Sequence, residues 1–227
     1  MTPPGSDPSQ SEPGPGHHHP PAAERRKLAS VAGHCGDEPT ARSLREDPAG
    51  TVRAAALGAL GRMGALTSDD LDTAAADDDP VVRRRSAELG ATNAAPDLVA
   101  MLGDCDPLVI EAACWALGER HDAGGRAGAE AATEEANAVV AALGALGSHD
   151  DPRCREASVA ALGAIGHPGG LAHVLALLGD KPAVRRRAIV ALAAFEGPEV
   201  VAALESAMDD RDWQVRQAAE DVLGRDR

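Results

Sequence analysis

One phrase recurs along the chain about every 30 residues: an acid, a proline, two spacer positions, an arginine, then alanines running to Leu-Gly. It reads Asp79-Pro80-Val81-Val82-Arg83, Asp151-Pro152-Arg153-Cys154-Arg155 and Lys181-Pro182-Ala183-Val184-Arg185. Looser copies are Asp106-Pro107-Leu108-Val109-Ile110 and Asp212-Trp213-Gln214-Val215-Arg216, and an earlier one joins Asp47-Pro48 to Val52-Arg53 with two extra turn residues. Marked by the arginine slot, the steps run 53, 83, 110, 155, 185 and 216, so that four of the five span 27 to 31 residues and one spans 45. A unit this short cannot bury an apolar face alone. It must stack on copies of itself, which restricts the chain to a solenoid.

Each part of the phrase has a physical task. Asp accepts from the free amides of a first helical turn, and Pro at the first helical position gives up no needed donor. Apolar residues then return at helical spacing, as in Cys154, Ser158, Val159, Ala161, Leu162 and Ile165, or Val184, Ala188, Ile189, Ala191 and Leu192. Gly61, Gly166 and Gly197 are read as helix stops. A second apolar helix is expected after four of the copies, over 95–102, 134–146, 170–178 and 198–208.

These residues resemble the HEAT-repeat family, in particular the short HEAT-like repeats named after phycobilisome lyases, over roughly residues 24–227. The resemblance implies an all-α, right-handed α-α superhelix of about six to seven two-helix repeats. It also implies that the arginine-bearing helix lines the concave surface, and that Arg53, Arg83, Arg155, Arg185 and Arg216 are structural, pairing with turn aspartates. A weak first copy over 24–47 carries Arg25 and Arg26 near the slot. The last helix, 214–225, with Gln217, Glu220 and Asp221, reads as a polar cap within a half-repeat at 212–227.

The domain organisation follows. Residues 1–22, with seven prolines among Gly and Ser, read as a disordered tail, and 23–227 as one solenoid. The long step comes from a Gly-rich insertion at 121–133, which is either a tolerated surface loop or a functional one. A net charge of −14 opposes a phosphate backbone, so no nucleic-acid role is expected, despite the runs 83–85 and 185–187 of three arginines each. No stretch approaches membrane-spanning length, and the tail lacks the apolar core of a secretory signal. Cys35, Cys105, Cys114 and Cys154 have no C-x-x-C spacing, and Cys114 and Cys154 fall on buried slots, which fits a reduced cytosol. Two Lys against 20 Arg, no Tyr and one Phe point to a high-GC bacterial coding bias.

Three chemistries can be weighed. His17-His18-His19 sits in the tail with nothing to set a metal geometry. The deoxyhypusine hydroxylases, built from similar repeats, hold two irons with His-Glu pairs just after the arginine slot. The matching pairs here are Ala54-Ala55, Arg84-Arg85, Glu111-Ala112, Glu156-Ala157, Arg186-Arg187 and Gln217-Ala218, none of them His-Glu. The remaining histidines fall in turns (His34, His121, His149, His167) or on an outer helix (His173). A phycobilin-lyase-like role would need an aromatic-edged groove, and only Trp115, Trp213 and Phe195 are available. Trp213, in place of the turn proline, is expected to pack the last helix onto the stack, and Phe195 to end a core stripe. No enzyme activity and no cofactor are therefore expected.

What remains is a cytoplasmic, monomeric scaffold or assembly factor that binds another protein on its concave helices. Counted from the residue before the slot, offsets two, six and ten face the groove. This selects Arg84, Glu88 and Thr92; Glu111, Trp115 and Glu119; Glu156, Ala160 and Ala164; and Arg186, Val190 and Ala194. Trp115 among carboxylates has the anatomy of a binding hot spot for a basic partner. The alternative is that the 121–133 loop folds back over it.

Overall fold

The computed structural model describes residues 20–123 and 134–225, and among these every regular element is helical. Seven helices carry or align with the arginine slot: α1 (Ala22–Cys35), α3 (Gly50–Met63), α5 (Pro80–Leu89), α7 (Pro107–Ala123), α9 (Pro152–Ile165), α11 (Pro182–Leu192) and α13 (Trp213–Arg225). Between them lie the partner helices α2 (Glu38–Ser43), α4 (Ser68–Ala75), α6 (Leu98–Met101), α8 (Glu134–Ala145), α10 (Leu171–Ala176) and α12 (Pro198–Ala207). Successive slot helices pack side against side, α1 on α3 through to α11 on α13, whereas successive partner helices barely touch each other. Tight spacing in one layer and loose spacing in the other curve the stack with the slot helices on its inner side.

Helix starts follow the phrase. Asp79 Oδ1 accepts from Val81 N at 2.9 Å, Asp106 Oδ1 from Leu108 N at 2.8 Å, Asp151 Oδ1 from Arg153 N at 2.9 Å and Asp212 Oδ1 from Gln214 N at 2.9 Å. The core is aliphatic and built from small contacts. In α7, Val109, Ala113, Cys114, Ala116 and Leu117 are buried, and in α11 the same register buries Val184, Ala188, Ile189, Ala191 and Leu192. Small residues set the helix spacing: a Cβ on Gly163 would lie 2.7 Å from the Ala191 Cβ, so glycine is what lets α9 and α11 close up.

Several expectations need correcting. Gly61 lies inside α3, which runs on to Gly64 at φ 66°; a Cβ at Gly61 would come 2.9 Å from Leu89 Cδ2, so close packing explains this glycine. Gly197, at φ 132°, precedes α12 and does not end α11. The helix expected over 95–102 shrinks to the single turn Leu98–Met101, because Pro96 biases Ala95 away from helical backbone. The partner helix Ser68–Ala75 was not singled out from the sequence, though Thr67 and Asp70 form a full capping box at its start. Ala22, assigned to the tail, opens α1, and 121–123, assigned to the insertion, continue α7, so His121 is helical; residues 1–19 and 124–133 lie outside the described residues. His34 likewise sits in the last turn of α1. Trp213 is 64% exposed at the first residue of α13, so it does not pack that helix onto the stack, whereas Phe195 is buried. No described helix is long and apolar enough to cross a membrane.

Candidate functional site on the inner helices

The slot arginines form a ladder along one edge of the stack. Each reaches forward to an aspartate in the next inter-repeat turn: Arg53 to Asp77 (Nε–Oδ2 2.9 Å), Arg83 to Asp104 (2.7 Å), Arg155 to Asp180 (2.6 Å) and Arg185 to Asp210 (2.9 Å). In each case Nη2 closes a second bond to the other carboxylate oxygen, the bidentate fork that guanidinium geometry favours. The Nη1 of the same arginine donates backward to the turn before its own helix, for example to Asp77 O (2.9 Å) from Arg83 and His149 O (2.6 Å) from Arg155. One side chain thus ties two turns together. Arg25 bonds Asp47 in the same way, which makes it the slot residue of the first repeat. Arg216 has the backward bond to Asp210 O at 2.7 Å.

The aspartates serve their own turns as well. Asp77, Asp104 and Asp210 accept from the backbone N–H two residues on, at 2.8, 2.8 and 2.7 Å. Burial pushes the Asp77 carboxyl up, but the Arg53 bond and this amide together bring it below the usual carboxylate range. Asp104, Asp180 and Asp210 are lowered first by their arginines.

One rung is missing. In the fourth repeat the slot holds Ile110, only 2% exposed, and the position that would supply the aspartate holds His149. His149 keeps the local half of the task, with Nδ1 accepting from Asp151 N at 3.0 Å. Both partners of the ion pair are replaced together, so neither an arginine nor a carboxylate is stranded, and the α7–α9 junction rests on apolar packing. Cys114 and Cys154 are buried in it. Burial drives the Cys114 thiol up to about 12 and also raises Cys154, which leaves both protonated at neutral pH.

The inner face runs across this junction. Glu111, Trp115 and Glu119 are exposed along α7, and Trp115 is 50% exposed despite its size. On α9 the neighbouring stripe is Glu156 and Ala160, both half-buried, and exposed Ala164; on α11 it is exposed Arg186 and Val190, with half-buried Ala194 in the turn that follows the helix. On α5, Glu88 sits between two arginines, with Arg84 Nε at 3.0 Å and Arg85 Nη1 at 2.8 Å. These three border a shallow cavity of about 250 Å³ with Val81, Leu108 and Asp106. Glu156 lies 3.6 Å from Arg187 Nε. Two of the four stripe carboxylates are therefore met by arginines of the protein itself, whereas no described ion pair involves Glu111 or Glu119. The structure places Trp115 between those two, one helical turn from each. Of the 121–133 loop, the alternative cover for Trp115, residues 121–123 continue α7 and 124–133 lie outside the described residues.

Among the described residues no three His, Cys, Asp or Glu side chains lie where they could share a metal ion. His167 Nδ1 accepts from Gly169 N (3.2 Å), His34 Nδ1 lies 2.8 Å from Ser30 O, and the His173 ring packs over Gly144.

Residues 140–224 match the family described as HEAT repeats. Among solved structures, the X-ray structure of YIBA from Escherichia coli aligns at TM-score 0.62 and 17% identity over 88% of this chain and 74% of that one. An engineered protein aligns at TM-score 0.52 and 21% identity over 88% of this chain and 97% of that one. Human deoxyhypusine hydroxylase in complex with glycerol reaches TM-score 0.45 at 21% identity, over 91% and 80% of the two chains, too loose a likeness to carry a functional comparison. No curated protein matches the sequence.

Proposed function

With its fold an all-helical repeat solenoid like those of HEAT proteins, we propose that the chain is a non-catalytic interaction scaffold or assembly factor, of the phycobilisome-lyase-type HEAT-like class, working in a bacterial cytoplasm. The partner is a protein segment with basic side chains, seated on the inner helices. The observation that carries this reading is Trp115, half-exposed in the middle of the inner face between two exposed carboxylates that take part in no described ion pair, although Glu111 lies within electrostatic reach of Arg153. A large aromatic held on a rigid helix contributes apolar area at little entropic cost, and the flanking Glu111 and Glu119 select a cationic partner. A hydroxylase role is disfavoured because the pairs after the slot, Arg84-Arg85 and Glu111-Ala112 among them, lack the His-Glu ligands such a centre needs. A chromophore role is disfavoured because, among the described residues, the inner stripe offers one aromatic ring, Trp115, and the shallow cavity on α5 is lined by the charged Arg84, Arg85 and Glu88.

The test is co-purification from the native host with quantitative mass spectrometry, comparing the parent chain with Trp115→Ala and with Glu111→Lys/Glu119→Lys. Partners lost from both variants, with the melting temperature unchanged, support the proposal. The same partners retained by both would refute it.

A further inference from the structure

The two ends of the solenoid are not alike. In each slot helix the residue before the slot and those three and six residues after it face the preceding repeat. They are Val52, Ala56 and Ala59 in α3, Val109, Ala113 and Ala116 in α7, Cys154, Ser158 and Ala161 in α9, and Val184, Ala188 and Ala191 in α11, all buried. The same register in α1 is Glu24, Leu28 and Val31, continued by Cys35, and all four are exposed, Leu28 at 49% and Val31 at 47%. At the other end the outward face of α13 is closed with polar groups, exposed Glu220 and Asp221 beside half-buried Leu223. One end is finished as a cap should be, and the other displays an inter-repeat face with larger apolar side chains than the internal alanines.

We propose that the α1 face is the contact through which two copies of this chain associate, head to head, about a two-fold axis between Leu28 and Val31. Three observations choose this occupant. The 19 residues preceding Pro20 hold no large aliphatic or aromatic side chain except Met1, so their composition supplies no stripe of the kind that Leu28 and Val31 form. The polar α13 end is a poor complement, since head-to-tail stacking would set Leu28 and Val31 against Glu220, so the apolar end finds its match only in another α1. Finally, the stripe is self-complementary. With α1 antiparallel to its copy, Leu28 meets Val31 and Val31 meets Leu28, while Glu24 falls beside His34 and Cys35 of the second copy, the isologous pattern in which each contact occurs twice. One helix face is a small interface, well under the area of a stable dimer, so association is weak and concentration-dependent. It replaces the monomer expected from the sequence and leaves Trp115 free on both copies, giving a bivalent scaffold whose association does not depend on the Trp115 reading.

Sedimentation of the full chain over a concentration series tests it. The expected result is a weight-average mass rising from 23.1 kDa towards twice that value, and a Leu28→Glu/Val31→Glu variant that stays at 23.1 kDa with unchanged circular dichroism. A parent chain that remains monomeric throughout, or a variant that associates like the parent, overturns the proposal. The register is read separately with Glu24→Cys, oxidised by diamide. Positions 24 and 35 lie about 16 Å apart on one helix, too far for an internal bridge, so a disulfide between them can only join two copies. A mapped 24–35 cross-link supports the antiparallel contact. A covalent dimer joined elsewhere, or none at concentrations where the parent associates, contradicts it.

Discussion

The junction between α7 and α9 and the junctions on either side solve the same problem by different means. Between α5 and α7, or α9 and α11, a guanidinium bridges two turns and holds a carboxylate in a fork. Between α7 and α9 the slot is Ile110, the facing position is His149, and no described ion pair spans the gap. The ion-paired rungs fix both distance and register, because bidentate geometry tolerates little sliding. The central junction is fixed by shape alone, with Ala161 and Ala164 against Gly118, where a Cβ would approach Ala164 Cβ to 3.2 Å. Removing both members of a pair costs a fold far less than removing one. The stack therefore accommodates a rungless junction at its centre, beside the helix that carries Trp115.

Substitutions should separate the two kinds of junction. The largest effect is expected from Ile110→Ala, which empties a fully buried site and should lower stability by about 3 kcal/mol, alike at pH 4 and pH 7, as read from urea midpoints. Arg185→Ala should cost about 2 kcal/mol near neutrality, through the stranded Asp210 carboxylate and the turn carbonyl it leaves unbonded. That cost should fade in acid. The Asp77, Asp104, Asp180 and Asp210 carboxyls titrate lower in the fold than in the unfolded chain, so their contribution is complete above about pH 4 and is lost as pH falls through the folded values. Amide hydrogen exchange through an acid titration should then show the rung-bearing junctions opening while α7 and α9 stay protected; equal loss at all junctions would erase the distinction. A smaller effect tests whether a rung can be rebuilt. Ile110→Arg alone should destabilise, and adding His149→Asp should recover about 1 kcal/mol by double-mutant cycle. Zero coupling would mean that the central turn no longer lies where a rung could close.

The register of the slot helices was legible in the sequence because a 3.6-residue period repeated six times leaves one solution: offsets four, five, seven and eight from Val109 or Val184 are buried. The helix ends were less legible. A glycine that stops a helix and one that admits a neighbour look alike, which is why Gly61 was read as a stop although α3 passes through it to meet Leu89. Which aspartate each arginine holds depends on the turn stacked above it, so Asp104 and Asp180 could be placed only as turn residues. The exposure of Leu28 and Val31 has the same origin. Their equivalents are covered in every later repeat, and only the stacking order shows that α1 has nothing before it among the described residues. For the candidate site, the spacing of Glu111, Trp115 and Glu119 was visible as a pattern. The pairing of Glu88 with Arg84 and Arg85 lies at helical spacing within α5, whereas that of Glu156 was not legible, since it depends on Arg187 from the next slot helix.

The smallest effect on the fold should belong to Trp115. Half-exposed and outside the core, its replacement by Ala should change stability by no more than about 0.5 kcal/mol, while costing a bound partner about 2 kcal/mol, roughly thirtyfold in affinity. The inner face is tested most directly by site-specific photocross-linking in the native host, with the reactive side chain placed at Trp115 and, on the outer layer, at exposed Val201. The account predicts a discrete cross-linked protein from position 115, cationic in the segment captured, and none from position 201. Capture from Val201 with none from Trp115 would contradict it.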